Sequence, residues 1–217
     1  MNIVILGPQG SGKGTQAFAL RSRLGLAHIA SGDVLRAARA SDTELGRAVR
    51  KYYDAGELVP DEITVQLILE AIEAHADSDN VLLDGFPRTV AQAEALDTAL
   101  RARGERIELV INLVAPLDVV RERLASRWTC RTCGAVYNLL TMPPKIPGKC
   151  DLDGGELYQR EDDNPEAIQR RLSIWERENS ELLAYYADRT RVVDVDANRP
   201  PDAVTEDLVS VITAQPG

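Results

Sequence analysis

Cysteine is scarce and confined. The 217 residues hold three, Cys130, Cys133 and Cys150, all in one short segment. An odd number in a chain without a secretory leader pattern argues against a disulfide framework. No apolar run approaches the ~18 residues needed to cross a bilayer, and no basic residue precedes the apolar stretch Met1 to Leu6, so no membrane partner is expected and the expected compartment is the cytoplasm. Positive charge is short as well. Lys and Arg total 25 against 34 Asp and Glu, a formal net charge of -9. Such a field repels a phosphate backbone, and aromatic residues, 5% of the chain, are few for base stacking, so nucleic acid is not an expected partner. Any phosphate ligand must be gripped by a local cluster of cations and backbone donors working against the global field. Internal repeats, low-complexity tails and collagen-like or coiled-coil periods are missing too. What remains, 44% hydrophobic and 27% charged, suits one substantial core with inserted lobes, and nothing in it demands more than a monomer.

Apolar, β-branched runs alternate with helix-period segments: Ile3 to Leu6 then Gln16 to Leu24, Val81 to Leu83 then Val90 to Leu100, Leu109 to Val114 then Leu117 to Ala125. Strands this continuously apolar are buried on both faces, which predicts an α/β fold, a doubly wound parallel sheet with helices on both sides. A last strand, Val192 to Val195, and a helix opening at Pro200 or Pro201 complete it. Two stretches break the rhythm. Residues 30–59 follow short helical periods, with Ser41 and Glu44 at capping-box spacing, and read as a small helical insertion. From Trp128 to Tyr158 the chain is rich in Gly, Pro, Thr and Cys without a helical period, a second insertion of short strands and turns. Asn164 followed by Pro165 then starts a long helix towards Tyr186. The expected division is core over 1–29, 60–126 and 164–217, a helical insertion over 30–59 and a β-rich lid over 127–163.

The first strand runs into Gly7-Pro8-Gln9-Gly10-Ser11-Gly12-Lys13-Gly14-Thr15, and a helix follows. Glycines let successive N–H groups turn inward to phosphate oxygens, the helix N-terminus adds partial positive charge, and Lys13 can reach the outer phosphates. A P-loop normally carries its hydroxyl directly after the lysine. Here Gly14 intervenes and the hydroxyl comes at Thr15. The loop alone would also allow a regulatory GTPase, but the guanine-reading Asn-Lys-x-Asp segment is missing.

Further segments resemble adenylate kinase, in the long form with a metal-bearing lid, from Met1 to about Ser210. They are Ser31-Gly32-Asp33 with Arg36, Gly56-Glu57-Leu58-Val59, Leu83-Asp84-Gly85-Phe86-Pro87-Arg88 with Gln92, and Gly154-Gly155-Glu156-Leu157-Tyr158-Gln159-Arg160 followed by Asp162 and Asp163. The resemblance implies ATP + AMP giving two ADP, with Mg²⁺ on the triphosphate. It implies an ATP site at Gly10 to Thr15, Arg123, Arg127, Val136, Tyr137 and Arg199. It also implies an AMP site at Ser31, Arg36, Glu57, Leu58, Val59, Gly85, Phe86, Pro87, Arg88, Gln92, Arg160 and Arg171, with Gln92 reading the base. Where the family usually shows Ser then Thr, this chain has Ala30 then Ser31, so a related kinase acting on UMP or CMP is the alternative.

The residues supply suitable chemistry. In-line phosphoryl transfer needs aligned anions, neutralised charge and excluded water rather than covalent help. Arg88 lies just past the end of the strand Val81 to Asp84, where ligands of parallel sheets bind, and Asp84 could hold a water shell around Mg²⁺. Lys13, Arg88 and Asp84, together with Arg127, Arg160 and Arg171, which the resemblance implies, form the candidate catalytic set. Arg170 and Arg171 point to different parts of one helix, and the resemblance selects Arg171. Arg123, one helical turn before Arg127, is expected to share its face. Thr89 and Gln92 also have capping-box spacing, so Gln92 could serve the helix start. Cys130-x2-Cys133 and Cys150-x2-Asp153 suit a tetrahedral ion, with Zn²⁺ ahead of Fe²⁺ and Asp151 a rival to Asp153. Its place is structural, since a lobe of about thirty residues cannot build its own core. An oxidised Cys130 and Cys133 pair, or a lid held by hydrogen bonds alone, are the alternatives. A zinc-ribbon module for nucleic acid on an ATP-dependent switch is disfavoured by the acidic balance.

Overall fold

A computed structural model describes residues 1–55, 59–75, 80–159 and 163–214, with residues 53–55 described by their backbone alone. The chain runs β1 (Asn2–Leu6), α1 (Lys13–Leu24), β2 (Ala27–Ala30), α2 (Ser31–Ala40), α3 (Glu44–Ala55), α4 (Asp61–Glu73), β3 (Val81–Asp84) and α5 (Val90–Ala102). It continues through β4 (Ile107–Val114), α6 (Leu117–Ala125), β5 (Arg127–Cys130), β6 (Val136–Asn138), β7 (Leu157–Tyr158), α7 (Pro165–Ala187), β8 (Arg191–Asp196) and α8 (Pro201–Thr213).

Five parallel strands in the order β2-β3-β1-β4-β8 make the main sheet. Its central strand is buried throughout, and successive side chains leave by opposite faces. Ile3 and Ile5 pack with Ala17, Leu20, Val204 and Leu208 of α1 and α8. Val4 and Leu6 pack with Ile68, Leu96 and Leu182 of α4, α5 and α7. Two apolar layers explain why the apolar runs are continuous, as the sequence predicts. Because the strands are parallel, the segments after β1, β2 and β3, at Gly7, Ser31 and Gly85, emerge along one edge of the sheet.

β2 is a strand that the apolar rhythm does not reveal. Ala27-His28-Ile29-Ala30 is a short edge strand that passes into α2 with no turn residue between. The capping box expected at Ser41 and Glu44 is not formed. Ser41 ends α2, its N–H bonding Ala37 and Ala38 carbonyls, and Thr43 takes over the start of α3, with Oγ1 accepting the Gly46 N–H at 3.1 Å. α2 and α3 rest on α4 through Ala38, Val49 and Leu67, with Val59 packed against them.

The second insertion folds as an antiparallel sheet, β6-β5-β7. Its buried cluster is Cys130, Tyr137, Cys150 and Leu157, with Trp128 and Ala135 against it. Half of that small core is thiol, which suits a lobe fastened by ligand bonds rather than by apolar burial. Asn164 caps α7, accepting the Ala167 N–H at 2.9 Å, and α8 begins at Pro201, as expected.

Candidate active site

The glycine turn lies at the carboxyl end of β1. Gly12 precedes α1 with φ +97, a left-handed conformation that side chains disfavour, and a Cβ on Gly10 would lie 2.9 Å from Leu124 of α6. Lys13 curls back over the turn, donating to the carbonyls of Gly7 at 2.6 Å and Pro8 at 2.9 Å. Burial lowers its pKa to about 8; Asp84 opposes that shift, and Arg88, Arg127 and Arg171 add to it. Those four residues are therefore its electrostatic neighbours, drawn from β3, the loop before α5, β5 and α7. The Ser11 hydroxyl and the side-chain amide oxygen of Gln9 are buried in this turn without partners among the described residues.

After β3 the chain turns at Gly85, whose φ is +74 and whose Cβ would come 3.0 Å from the Ser31 hydroxyl. Ser31 donates to the Gly85 carbonyl at 2.8 Å, and Arg88 Nε donates to the same oxygen at 2.8 Å. The starts of α2 and of the Gly85–Arg88 loop are thereby tied together. Phe86 and Pro87 are buried beneath. Gln92 is buried on the first turn of α5; its N–H goes to Thr89 Oγ1 at 3.2 Å, while its amide oxygen accepts the Arg88 N–H at 2.8 Å.

A carboxylate that sequence reasoning leaves as part of a motif organises the arginines. Asp163 has a fully buried side chain and receives Arg127 through Nε at 2.8 Å and a terminal nitrogen at 2.5 Å, with Arg171 at 3.4 Å. Its sequence signal is an acid just ahead of the Asn164-Pro165 helix start. Arg170 is exposed, so Arg171 is the one of that pair turned to the cluster. Asp84 has His28 Nε2 3.4 Å away on the neighbouring strand, a second residue that sequence reasoning does not single out.

Other expected residues are not among these electrostatic neighbours of Lys13. Arg123 does not share a face with Arg127, because α6 ends at Ser126 and Arg127 already belongs to β5. Arg123 instead donates to the Ala197 carbonyl at 3.0 Å, beside the segment carrying Arg199, which pairs with Asp207. Arg36 pairs with Asp33 and lies over Gly32. Thr15 and Gly14 begin α1, Val136 is exposed on β6, and the neighbouring Tyr137 is buried in the lid cluster. Glu57, Leu58 and Arg160 lie outside the described residues.

In the lid, ligand atoms of Cys130, Cys133, Cys150 and Asp153 lie within 4.8 Å of one another. Tetrahedral Zn²⁺ with bonds of ~2.0–2.3 Å places its ligands roughly 3.3–3.8 Å apart. The spacing matches: Cys133 and Cys150 sulfurs are 3.6 Å apart, and Cys130 Sγ is 3.4 Å from Asp153 Oδ1. The Gly155 N–H, then the Cys133 and Cys150 thiols, hold the Asp153 carboxyl at about 2. Burial works to raise the Cys150 thiol, yet bonds from the Tyr137 hydroxyl and from Leu152 and Asp153 N–H groups prevail and lower it. A divalent cation fits this donor set. Asp151 turns away to accept the Lys145 N–H at 2.9 Å.

A glycine turn at the carboxyl edge of a parallel sheet, faced by a lysine and converging guanidiniums, defines a P-loop nucleotide phosphotransferase. Similarity to known proteins narrows the class. The sequence model of one family, adenylate kinase, matches residues 5–191. The chain is 43% identical over 212 residues to adenylate kinase of Archaeoglobus fulgidus, covering 98% of each chain. It is 41% identical over 214 residues to that of Listeria monocytogenes, covering 99% of this chain and 100% of the relative. With that of Staphylococcus epidermidis it shares 42% over 212 residues, 98% and 99% of the two chains. This chain belongs to the adenylate kinase family. It is an enzyme of reversible phosphoryl transfer, ATP + AMP giving two ADP.

Proposed function

We propose that the glycine turn, Gly10 to Thr15, grips the ATP phosphates and that AMP is held against it by residues at the ends of β2 and β3. The convergence of Asp84, Arg88, Arg127 and Arg171 on Lys13 carries this reading. An oxygen of the AMP phosphate attacks the γ-phosphorus in line; the new P–O bond forms as the bond to the β,γ-bridging oxygen breaks, leaving ADP on each side. No proton has to move. Lys13 gives up the Gly7 and Pro8 carbonyls for phosphate oxygens, while Arg88, Arg127, Arg160 and Arg171 offset charge on the migrating group. Mg²⁺, when bound with ATP, neutralises phosphate charge, and Asp84 is the carboxylate suited to its water shell.

Ser31, Arg36, Glu57 to Val59, Gly85 to Arg88 and Gln92 form the AMP side. Arg123, Val136, Tyr137 and Arg199 form the adenine end of the ATP site, a reading favoured by the contact of Arg123 with the 197–199 segment. Residues 127–163 act as a lid. Empty, its arginines and those of the core repel one another; bound phosphates reward their approach and closure excludes water, so nucleotides shift the population towards the closed form. Zn²⁺ held by Cys130, Cys133, Cys150 and Asp153 fastens the lid. No helix among the described residues is long and apolar enough to cross a membrane, in keeping with a cytoplasmic enzyme, and the monomer is the expected working unit. Diphosphate formation with ATP, Mg²⁺ and AMP, UMP or CMP in turn tests the acceptor. AMP should be used far better than the pyrimidine nucleotides, and equal or better use of UMP or CMP would reassign the acceptor site.

A further inference from the structure

The side-chain amide of Gln92 is held at both ends. Its Oε1 accepts the Arg88 backbone N–H at 2.8 Å, and its Nε2 donates to Oδ1 of Asp61 at 2.6 Å. A backbone N–H has no lone pair to offer, and an ionised carboxylate has no proton, so each contact dictates which end of the amide faces it. Turning the amide over would set carbonyl against carboxylate and NH₂ against N–H, losing both bonds. Its orientation therefore follows from the chemistry of its neighbours. Those neighbours are firmly based: Asp61 opens α4, and Arg88 immediately precedes Thr89, the N-cap of α5. The second Nε2 proton and the second Oε1 lone pair have no partner among the described residues.

We propose that Asp61 is a specificity-determining positioning residue, locking Gln92 so that it presents one acceptor and one donor in fixed order to the base of the incoming monophosphate. The proposal rests on the reading that Gln92 meets that base. A 6-aminopurine offers an N–H donor at position 6 beside an acceptor at N1, which complements the locked amide. A 6-oxopurine reverses the pattern, with an acceptor at position 6 and a proton on N1. It could be satisfied only by the overturned amide that Asp61 and Arg88 forbid. Selectivity of this kind comes from unpaired polar groups in the wrong complex as much as from good bonds in the right one.

AMP and IMP differ in this pattern alone, which makes them the substrates for the test. We would measure kcat and KM for both with the full-length enzyme, Asp61→Asn and Gln92→Ala, with melting temperature as the control for folding. The carboxamide introduced by Asp61→Asn can accept from or donate to Gln92, so overturning then forfeits the Arg88 bond alone. Losing the discrimination of one hydrogen bond to a charged group corresponds to roughly ten- to a hundredfold. The IMP to AMP ratio of kcat/KM should rise by that factor in Asp61→Asn, with a fall in KM for IMP itself. Asp61→Ser, which can also donate or accept, replaces it if the first variant does not fold. An unchanged ratio, or one changed through loss of AMP turnover with no gain for IMP, overturns the role of Asp61. Gln92→Ala separates the two layers. It should bring the two substrates together, and if the AMP preference survives it, base reading by Gln92 fails and takes the proposal with it. If Gln92→Ala collapses the preference and Asp61→Asn does not, Gln92 reads the base and the lock by Asp61 is wrong.

Discussion

Lys13 ties nucleotide binding to pH in a way that can be worked out from its surroundings. Burial lowers its pKa from an ordinary 10.5 to about 8; Asp84 pulls upward, while Arg88, Arg127 and Arg171 push further down. A bound triphosphate reverses the balance by placing several negative charges beside the ammonium, so the pKa returns towards its ordinary value. Between those two values the complex holds a proton that the empty protein lacks. A lysine with a pKa of about 8 is roughly one-tenth neutral at pH 7 and nine-tenths neutral at pH 9. Affinity for a non-hydrolysable ATP analogue should therefore be nearly flat up to pH 7.5 and weaken by up to ~10-fold per pH unit above 8. Binding should take up about a tenth of a proton at pH 7 and about nine-tenths at pH 9. Titration calorimetry in buffers of different ionisation heat reads that number directly, with Lys13→Met as the control that abolishes it. The same shift acts on folding. The unfolded chain binds the extra proton between pH 8 and 10.5, so this residue adds stability as pH rises through that window and withholds it below. Proton uptake near zero at pH 9, or equal uptake by Lys13→Met, would refute the placement of Lys13 against the phosphates.

Three further outcomes are expected. Arg88→Ala should lower kcat/KM by about 10³-fold or more while leaving the melting temperature within a few degrees, because the side chain is exposed; comparable losses of both would undo its assignment to the migrating group. Asp163→Asn removes the buried partner of Arg127 and Arg171. It should cost about 3 kcal/mol, roughly 6–12 °C in melting temperature, and lower kcat as well, whereas a neutral result in a thermal melt would show the carboxylate to be dispensable. Metal analysis should find one ion per chain, and chelation should melt the lid sheet first, seen as lost hydrogen-exchange protection over residues 127–159. Asp153→Asn should weaken metal binding beyond the ~10–100-fold of an outer-shell change while Asp151→Asn does not, and the reverse order would exchange their roles.

The parallel sheet is legible in the sequence because β1, β3 and β4 are largely buried on both faces and read as nearly continuous apolar runs. β2 is not, since its edge position asks for less apolar surface than Ala27-His28-Ile29-Ala30 would need to stand out. Local patterns mislead where a nearer residue competes: Thr43 takes the cap that Ser41 could have provided, and α6 ends before the spacing of Arg123 and Arg127 can matter. The glycine turn and the four candidate metal-ligand positions are short-range motifs and can be found by spacing. Asp163 on Arg127 and Asp61 on Gln92 join residues 36 and 31 positions apart, and nothing in a single sequence pairs them. The arginines are visible as residue types beside loops; the carboxylates that aim them become visible only once the chain has folded.

The most direct test is a crystal structure with a bisubstrate dinucleotide in which two adenosines are joined through their phosphates. Lys13 should have left the Gly7 and Pro8 carbonyls for phosphate oxygens, with Arg88, Arg127 and Arg171 within hydrogen-bond distance of the phosphate chain. Lys13 still bonded to those carbonyls, or the three guanidiniums directed into bulk solvent, would contradict the account.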